Sequence, residues 1–160
     1  MRKISTLILI LLSAYCFSQT PKRVNIDKRL VEYVEDYIDQ AQERGFYVRG
    51  LIVKRIDYIY IIDSIGTDER DHTQIIGSVG NDRRGFVIAE EVLKDTILTR
   101  VTVYHEIGHI LAKSSKHVVR DKYHIMSSTH PEDDNILRDK IIMNGLIDEY
   151  FKWLSQNYKE

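Results

Sequence analysis

One short segment places a strong demand on the fold of this 160-residue chain: residues 105–109 read His-Glu-Ile-Gly-His. On an α-helix, side chains four residues apart lie on the same face. The imidazoles of His105 and His109 can then bind one ion, at about 2.0–2.1 Å if the ion is zinc. We therefore predict a buried helix that begins near Asp95 or Thr96 and ends at Ala112, with both histidines as metal ligands.

Glu106 lies between the two histidines and projects from the helix at a different angle. It can contact a water molecule on the metal rather than the metal itself. Zinc lowers the pKa of such a water to about 7, and a carboxylate can accept its proton as the oxygen attacks a carbonyl carbon. The motif therefore predicts metal-assisted hydrolysis of an amide, with Glu106 as the general base.

The motif at 105–109 resembles the active-site helix of zincin metallopeptidases, and Ile125-Met126-Ser127 resembles the Met-turn of their metzincin branch. The resemblance implies a single small zincin-like α+β domain, Zn²⁺ as cofactor and a peptide or protein substrate. It also implies that Met126 packs beneath the metal and that a third histidine completes the ligand set. The metzincin spacing would place a glycine at 112 and that histidine at 115, where this chain has Ala112 and Ser115.

We expect His117 to be the third ligand, because an eight-residue step from His109 lets the chain leave the helix and return beneath it. Three nitrogens at about 2.05 Å from a tetrahedral ion lie about 3.3 Å apart, so the three rings should converge to within about 3–4 Å. His124, His130 and Glu149 are the alternative third ligands.

Two further features are predicted to contribute to the site. Tyr123 is a candidate donor of a hydrogen bond to an oxyanion. The run Phe86-Val87-Ile88-Ala89 precedes the active helix, and we predict that it forms the sheet edge that borders the cleft. An extended peptide could add to that edge as a further strand, with Arg83 and Arg84 nearby.

The remaining pattern predicts one α+β domain with a twisted sheet. Apolar residues at helical spacing over 26–44 predict an N-terminal helix that stops at Gly45. The Ile-, Val- and Tyr-rich segment 46–63 predicts one long strand or two. Apolar runs on either side of residues 81–84 predict a hairpin or a wide loop, and residues 131–157 predict a last helix.

Residues 1–18 are predicted to be a secretory signal peptide, and residues 19–160 the mature metallopeptidase domain. A basic pair precedes an apolar run of about a dozen residues, which is shorter than the roughly 20 residues that span a bilayer. Cleavage before Gln19 would export the protein to the periplasm or the medium. Lipidation of Cys16 is the less favoured alternative, because a bulky tyrosine precedes this cysteine.

The composition of the chain limits the residue types that can bind a metal and the classes of partner to expect. Cys16 is the only cysteine, so the mature chain is expected to use His, Asp or Glu as metal ligands. The full chain has 23 Lys and Arg against 24 Asp and Glu, which gives no reason to expect nucleic acid as a partner. No apolar run after residue 18 approaches membrane length. A non-catalytic zinc-binding or interaction protein is the alternative function, although a structural zinc site has no need of Glu106.

Overall fold

A computed structural model describes residues 23–66, 76–118, 124–127 and 140–158, and for residues 140–142 it describes the backbone alone. The predicted signal peptide, the candidate Tyr123 and the alternative ligand His130 lie outside these residues.

The described residues form four α-helices and four β-strands. The helices are α1 (Val31–Glu43), α2 (Arg49–Arg55), α3 (Thr96–Ala112) and α4 (Lys140–Asn157), and a 3₁₀ turn at Glu90–Lys94 precedes α3. The strands are β1 (Asn25–Ile26), β2 (Tyr58–Ile62), β3 (Gly77–Val79) and β4 (Gly85–Ala89). This is the predicted small α+β domain, with an N-terminal helix, a helix that carries the histidine motif and a C-terminal helix.

The four strands form one mixed sheet in the order β1-β2-β4-β3. Strands β1, β2 and β4 are parallel, and β3 pairs with β4 in the antiparallel direction. The prediction that Phe86, Val87, Ile88 and Ala89 form the sheet edge is therefore wrong, since β4 has a partner on each side. The physical reason lies in the run itself, because four of the five β4 residues are buried, as is typical of a central strand.

The segment predicted as strand over 46–63 is partly helical. Strand β2 occupies its second half, but Arg49–Arg55 forms α2. Val48, Ile52 and Ile56 are all buried, and their spacing of four residues places them on one helical face. Tertiary packing of that face outweighs the strand preference of the β-branched residues.

Helix α3 is enclosed by the rest of the fold, and every residue from Val101 to Ala112 is buried. Asp95 caps it, since its carboxylate accepts hydrogen bonds from the backbone N–H groups of Ile97 at 2.8 Å and Leu98 at 3.1 Å. Within α3, the hydroxyl of Thr102 donates to the carbonyl of Leu98 at 2.8 Å. A polar side chain can be buried without large cost when its hydrogen bond is satisfied in this way.

Two neighbouring helices fix the position of α3. On the α1 side, Asp36 accepts hydrogen bonds from Arg100 at 3.0 Å and from the hydroxyl of Tyr104 at 2.9 Å. On the α4 side, the hydroxyl of Tyr150 donates to the carbonyl of Tyr104 at 2.9 Å. The turn of α3 just before the motif is therefore held from both sides.

Helix α4 packs an apolar face against the core. Ile147, Tyr150 and Leu154 are buried, and Gly145 does not interrupt the helix. Glu149 is exposed on the opposite side. None of the helices in the described residues is both long enough and apolar enough to cross a membrane.

Candidate metal centre

Three histidine rings converge at the C-terminal half of α3. Nε2 of His109 lies 2.9 Å from Nε2 of His105 and 3.2 Å from Nε2 of His117. These distances are close to the spacing of about 3.3 Å for nitrogens around a tetrahedral ion. Of the described residues, these three form the group of His, Cys, Asp or Glu side chains whose ligand atoms lie close enough to hold a metal ion. The alternatives His124 and Glu149 are not part of it.

Backbone carbonyls orient the two helical histidines. Nδ1 of His105 lies 2.7 Å from the carbonyl oxygen of Ile125, and Nδ1 of His109 lies 2.8 Å from that of Ser114. A carbonyl oxygen can only accept, so each Nδ1 carries the hydrogen and each neutral ring presents a lone pair at Nε2. Two lone pairs 2.9 Å apart repel unless a cation lies between them. This donor set fits a divalent ion that prefers nitrogen ligands, as zinc does.

The electrostatic surroundings keep His109 in the form that binds metal. Burial lowers the pKa of His109 to about 4, against the opposing effect of the Ser114 carbonyl, and the nearby His117 and Arg83 lower it further. The ring is therefore neutral near pH 7. Metal ligation requires neutral imidazole, so no proton has to leave His109 before an ion binds.

The turn after α3 brings His117 back to the helical histidines. Lys113 adopts the left-handed conformation, with φ 51° and ψ 38°, and ends the helix. Glycine is the residue that most often takes this role. The chain therefore reverses direction at Lys113, and Ala112 is the last residue of the helix. The backbone N–H of Val118 then donates to the carbonyl of Met126 at 2.8 Å, which ties the residue after His117 to the Met-turn-like segment.

Met126 is fully buried against the motif helix. A Cβ atom on Gly108 would lie 2.6 Å from Sδ of Met126 and 2.9 Å from the hydroxyl of Tyr150, so only glycine admits both groups. The His124 side chain contacts the Met126 segment, since its Nδ1 accepts a hydrogen bond from the backbone N–H of Met126 at 3.0 Å. Gly108 thus lets the Met126 segment lie directly beneath the two histidine-bearing turns.

Replacing Gly108 with Ala is expected to lower the free energy of unfolding by about 1–3 kcal/mol, because the added methyl overpacks the contact with Met126 and Tyr150. Gly145 is the matched control on α4, since a Cβ there would meet no atom within 4 Å. Gly145→Ala should raise the free energy of unfolding by roughly 0.5–1 kcal/mol. Urea unfolding of both variants checks this, and equal effects of the two substitutions would contradict it.

Glu106 is a buried carboxylate that lies against strand β3. A Cβ atom on Gly77 would come within 2.6 Å of its Oε1 and within 2.8 Å of Cγ2 of Thr102. Burial raises the pKa of Glu106 to about 8, and no hydrogen bond or charge from the described residues offsets this effect. A divalent ion nearby would favour the ionised form again. Among the described residues, no hydrogen bond accounts for the burial of the Glu106 carboxylate.

No family model matches this chain, and comparisons with curated proteins and with solved structures give no significant match. Function therefore has to follow from the chemistry of the site itself.

Several groups that shape the site were missed by the sequence reasoning. Gly77 carries a signal that could have been used, because an isolated glycine in a strand pattern often marks close backbone approach. The carbonyls of Ile125 and Ser114 orient two histidines through their backbone. Any residue type supplies a carbonyl, so the sequence holds no signal for them.

Proposed function

We propose that this protein is a zinc-dependent peptide hydrolase, with His105, His109 and His117 as metal ligands and Glu106 as the general base. The observation that carries the proposal is the convergence of three Nε2 atoms at a helix that also carries the buried Glu106 carboxylate, which has no hydrogen-bond partner among the described residues. A site that only held a metal for stability would have no use for that carboxylate.

Each group of the proposed site has a separate role in hydrolysis. Zinc, when bound, supplies Lewis acidity toward water and toward the substrate carbonyl. The carbonyls of Ile125 and Ser114 hold two of the ligand rings at fixed orientation. Glu106 accepts a proton from the attacking water and delivers it to the amide nitrogen as the carbon–nitrogen bond breaks. The proton count balances, since the acid form of Glu106 exists only between these two transfers.

Strand β3 replaces β4 in the proposed binding of substrate. Hydrogen bonds join Ala89 N to Ile76 O at 3.0 Å and Gly80 N to Gly85 O at 2.9 Å. In an antiparallel ladder the residues between such positions turn their backbone groups outward. Gly77 and Val79 therefore present N–H and C=O groups at the edge of the sheet that the described residues form, and Gly77 lies beside Glu106. An extended peptide paired with this edge would lie along the site, recognised mainly through its backbone.

The proposal is tested by metal removal from purified protein. A chelator should reduce cleavage of an unfolded protein substrate to background, because the three ligands then lack their ion. Stoichiometric zinc should restore the cleavage. Zinc that binds tightly with no cleavage of any unfolded substrate would favour the non-catalytic zinc-binding alternative.

A further inference from the structure

Two residues with unfavourable backbone conformations are linked next to the metal centre. Among the described residues other than glycine, Arg83 and Lys113 have positive φ angles, of 54° and 51°. Long side chains rarely adopt this left-handed conformation. Nη1 of Arg83 donates a hydrogen bond to the carbonyl oxygen of Lys113 at 2.9 Å. The two disfavoured residues therefore contact each other directly.

The β3–β4 turn does not by itself call for an arginine. The backbone N–H of Arg83 donates to the carbonyl of Gly80 at 2.8 Å, which closes a tight turn with Arg83 in the left-handed position after it. Glycine is the residue that turn chemistry prefers at such a position. The arginine side chain therefore needs an explanation elsewhere, and among the described residues its hydrogen bond to the Lys113 carbonyl supplies one.

The peptide group that accepts the hydrogen bond from Arg83 also influences the orientation of the histidines. The carbonyl of Lys113 belongs to the same peptide unit as the N–H of Ser114, which donates to the carbonyl of His109 at 3.1 Å. The carbonyl of Ser114 in turn accepts the Nδ1–H of His109 at 2.8 Å. A change in the tilt of the Lys113 peptide would therefore move the group that orients His109. It would also move the start of the segment that leads to His117.

We propose that Arg83 is a positioning residue of the metal centre, which holds the Lys113–Ser114 peptide so that His109 and His117 meet the ion in their ligating orientation. This inference rests on the proposed function, since it assumes that the three histidines bind a metal. It adds the β3–β4 turn, through one side chain, to the groups that determine metal affinity.

Three effects of removing the Arg83 side chain differ in sign, and this makes the proposal testable. Replacing Arg83 with Gly relieves the left-handed backbone, so the metal-free fold should not be weakened. Removing a positive charge near the site should strengthen the binding of a dication. Only the loss of positioning predicts weaker metal binding. A fall in affinity without a fall in stability would therefore isolate the positioning role.

The experiment measures zinc affinity by competition with a chromophoric chelator, and thermal unfolding of the metal-free protein, for wild type, Arg83→Gly and Arg83→Asn. Arg84→Gln is the matched control, because it removes one charge from the same turn, where Arg84 pairs with Asp57 instead. Loss of an outer group that orients a ligand lowers metal affinity by about 10–100-fold. We expect a loss on the order of 10-fold for both Arg83 variants, and affinity at or above wild type for Arg84→Gln.

Three results would overturn the inference. Arg83 variants that bind zinc as tightly as wild type would show that the hydrogen bond to Lys113 does not position the ligands. Metal-free variants that unfold well below wild type would show that Arg83 serves the fold instead. Wild type that fails to bind zinc would remove the proposed metal centre itself, and that measurement reports on the proposed function separately from the comparison of variants.

Discussion

Replacing Glu106 with Gln is expected to lower peptide hydrolysis by about 10²–10⁴-fold while zinc remains bound, because an amide cannot act as the general base. Gln has nearly the shape of Glu, so it should fit the narrow space beside Gly77. The carboxylate makes no hydrogen bond to the described residues that the substitution would break. Cleavage of an unfolded protein and zinc content, measured on the same preparation, check both parts of this expectation.

Glu149→Gln is the matched control for this substitution. Glu149 is exposed on α4 and lies outside the histidine cluster, so hydrolysis and zinc content should equal those of wild type. A Glu106→Gln protein that hydrolyses at the wild-type rate would show that the assigned mechanism is wrong. Loss of zinc in Glu106→Gln would indicate instead that this residue helps to hold the ion.

Replacing His117 with Ala should lower zinc affinity by more than about 100-fold, since even loss of a group that merely orients a ligand costs about 10–100-fold. His117 is exposed, whereas His105 and His109 are buried in α3. Removal of the His117 side chain should therefore leave the metal-free fold intact and should lower only the affinity for zinc. Chelator competition and thermal unfolding of the metal-free protein separate the two quantities.

Lys116→Ala is the control for position in the loop, because it truncates the exposed neighbour of His117 and leaves the three rings in place. Its zinc affinity should match that of wild type. His124→Gln addresses the alternative ligand, and it should also retain one bound zinc. If His117→Ala keeps wild-type affinity while His124→Gln loses it, the ligand set assigned to the site is wrong.

The sequence predicted the centre of this site well, because its geometry is local. Two histidines four residues apart on a helix must share a face, and Nε2 of His105 lies 2.9 Å from Nε2 of His109. The convergence of His117 was also predicted, from the metzincin resemblance and the length of the connection after His109. The start of this helix was predicted near Asp95 or Thr96, and the Asp95 carboxylate accepts two backbone N–H groups there.

The surroundings of the site could not be predicted in the same way, because they depend on contacts between distant segments. Strands β3 and β4 both lie in apolar runs of the sequence, and the pairing of β4 with both β2 and β3 makes β4 a central strand. Helix α2 was predicted as strand because its β-branched residues favour extended structure, although Val48, Ile52 and Ile56 pack on one helical face. Local preference gave the wrong answer where tertiary packing decided the conformation.

The central claim is that His105, His109 and His117 hold one zinc ion, and anomalous diffraction at the zinc absorption edge tests it most directly. Crystals of protein purified without added metal should show a single strong anomalous peak. Its position should be about 2.0–2.1 Å from Nε2 of each of the three histidines. A peak at another group of side chains, or no peak at this site after zinc is supplied, would contradict the account.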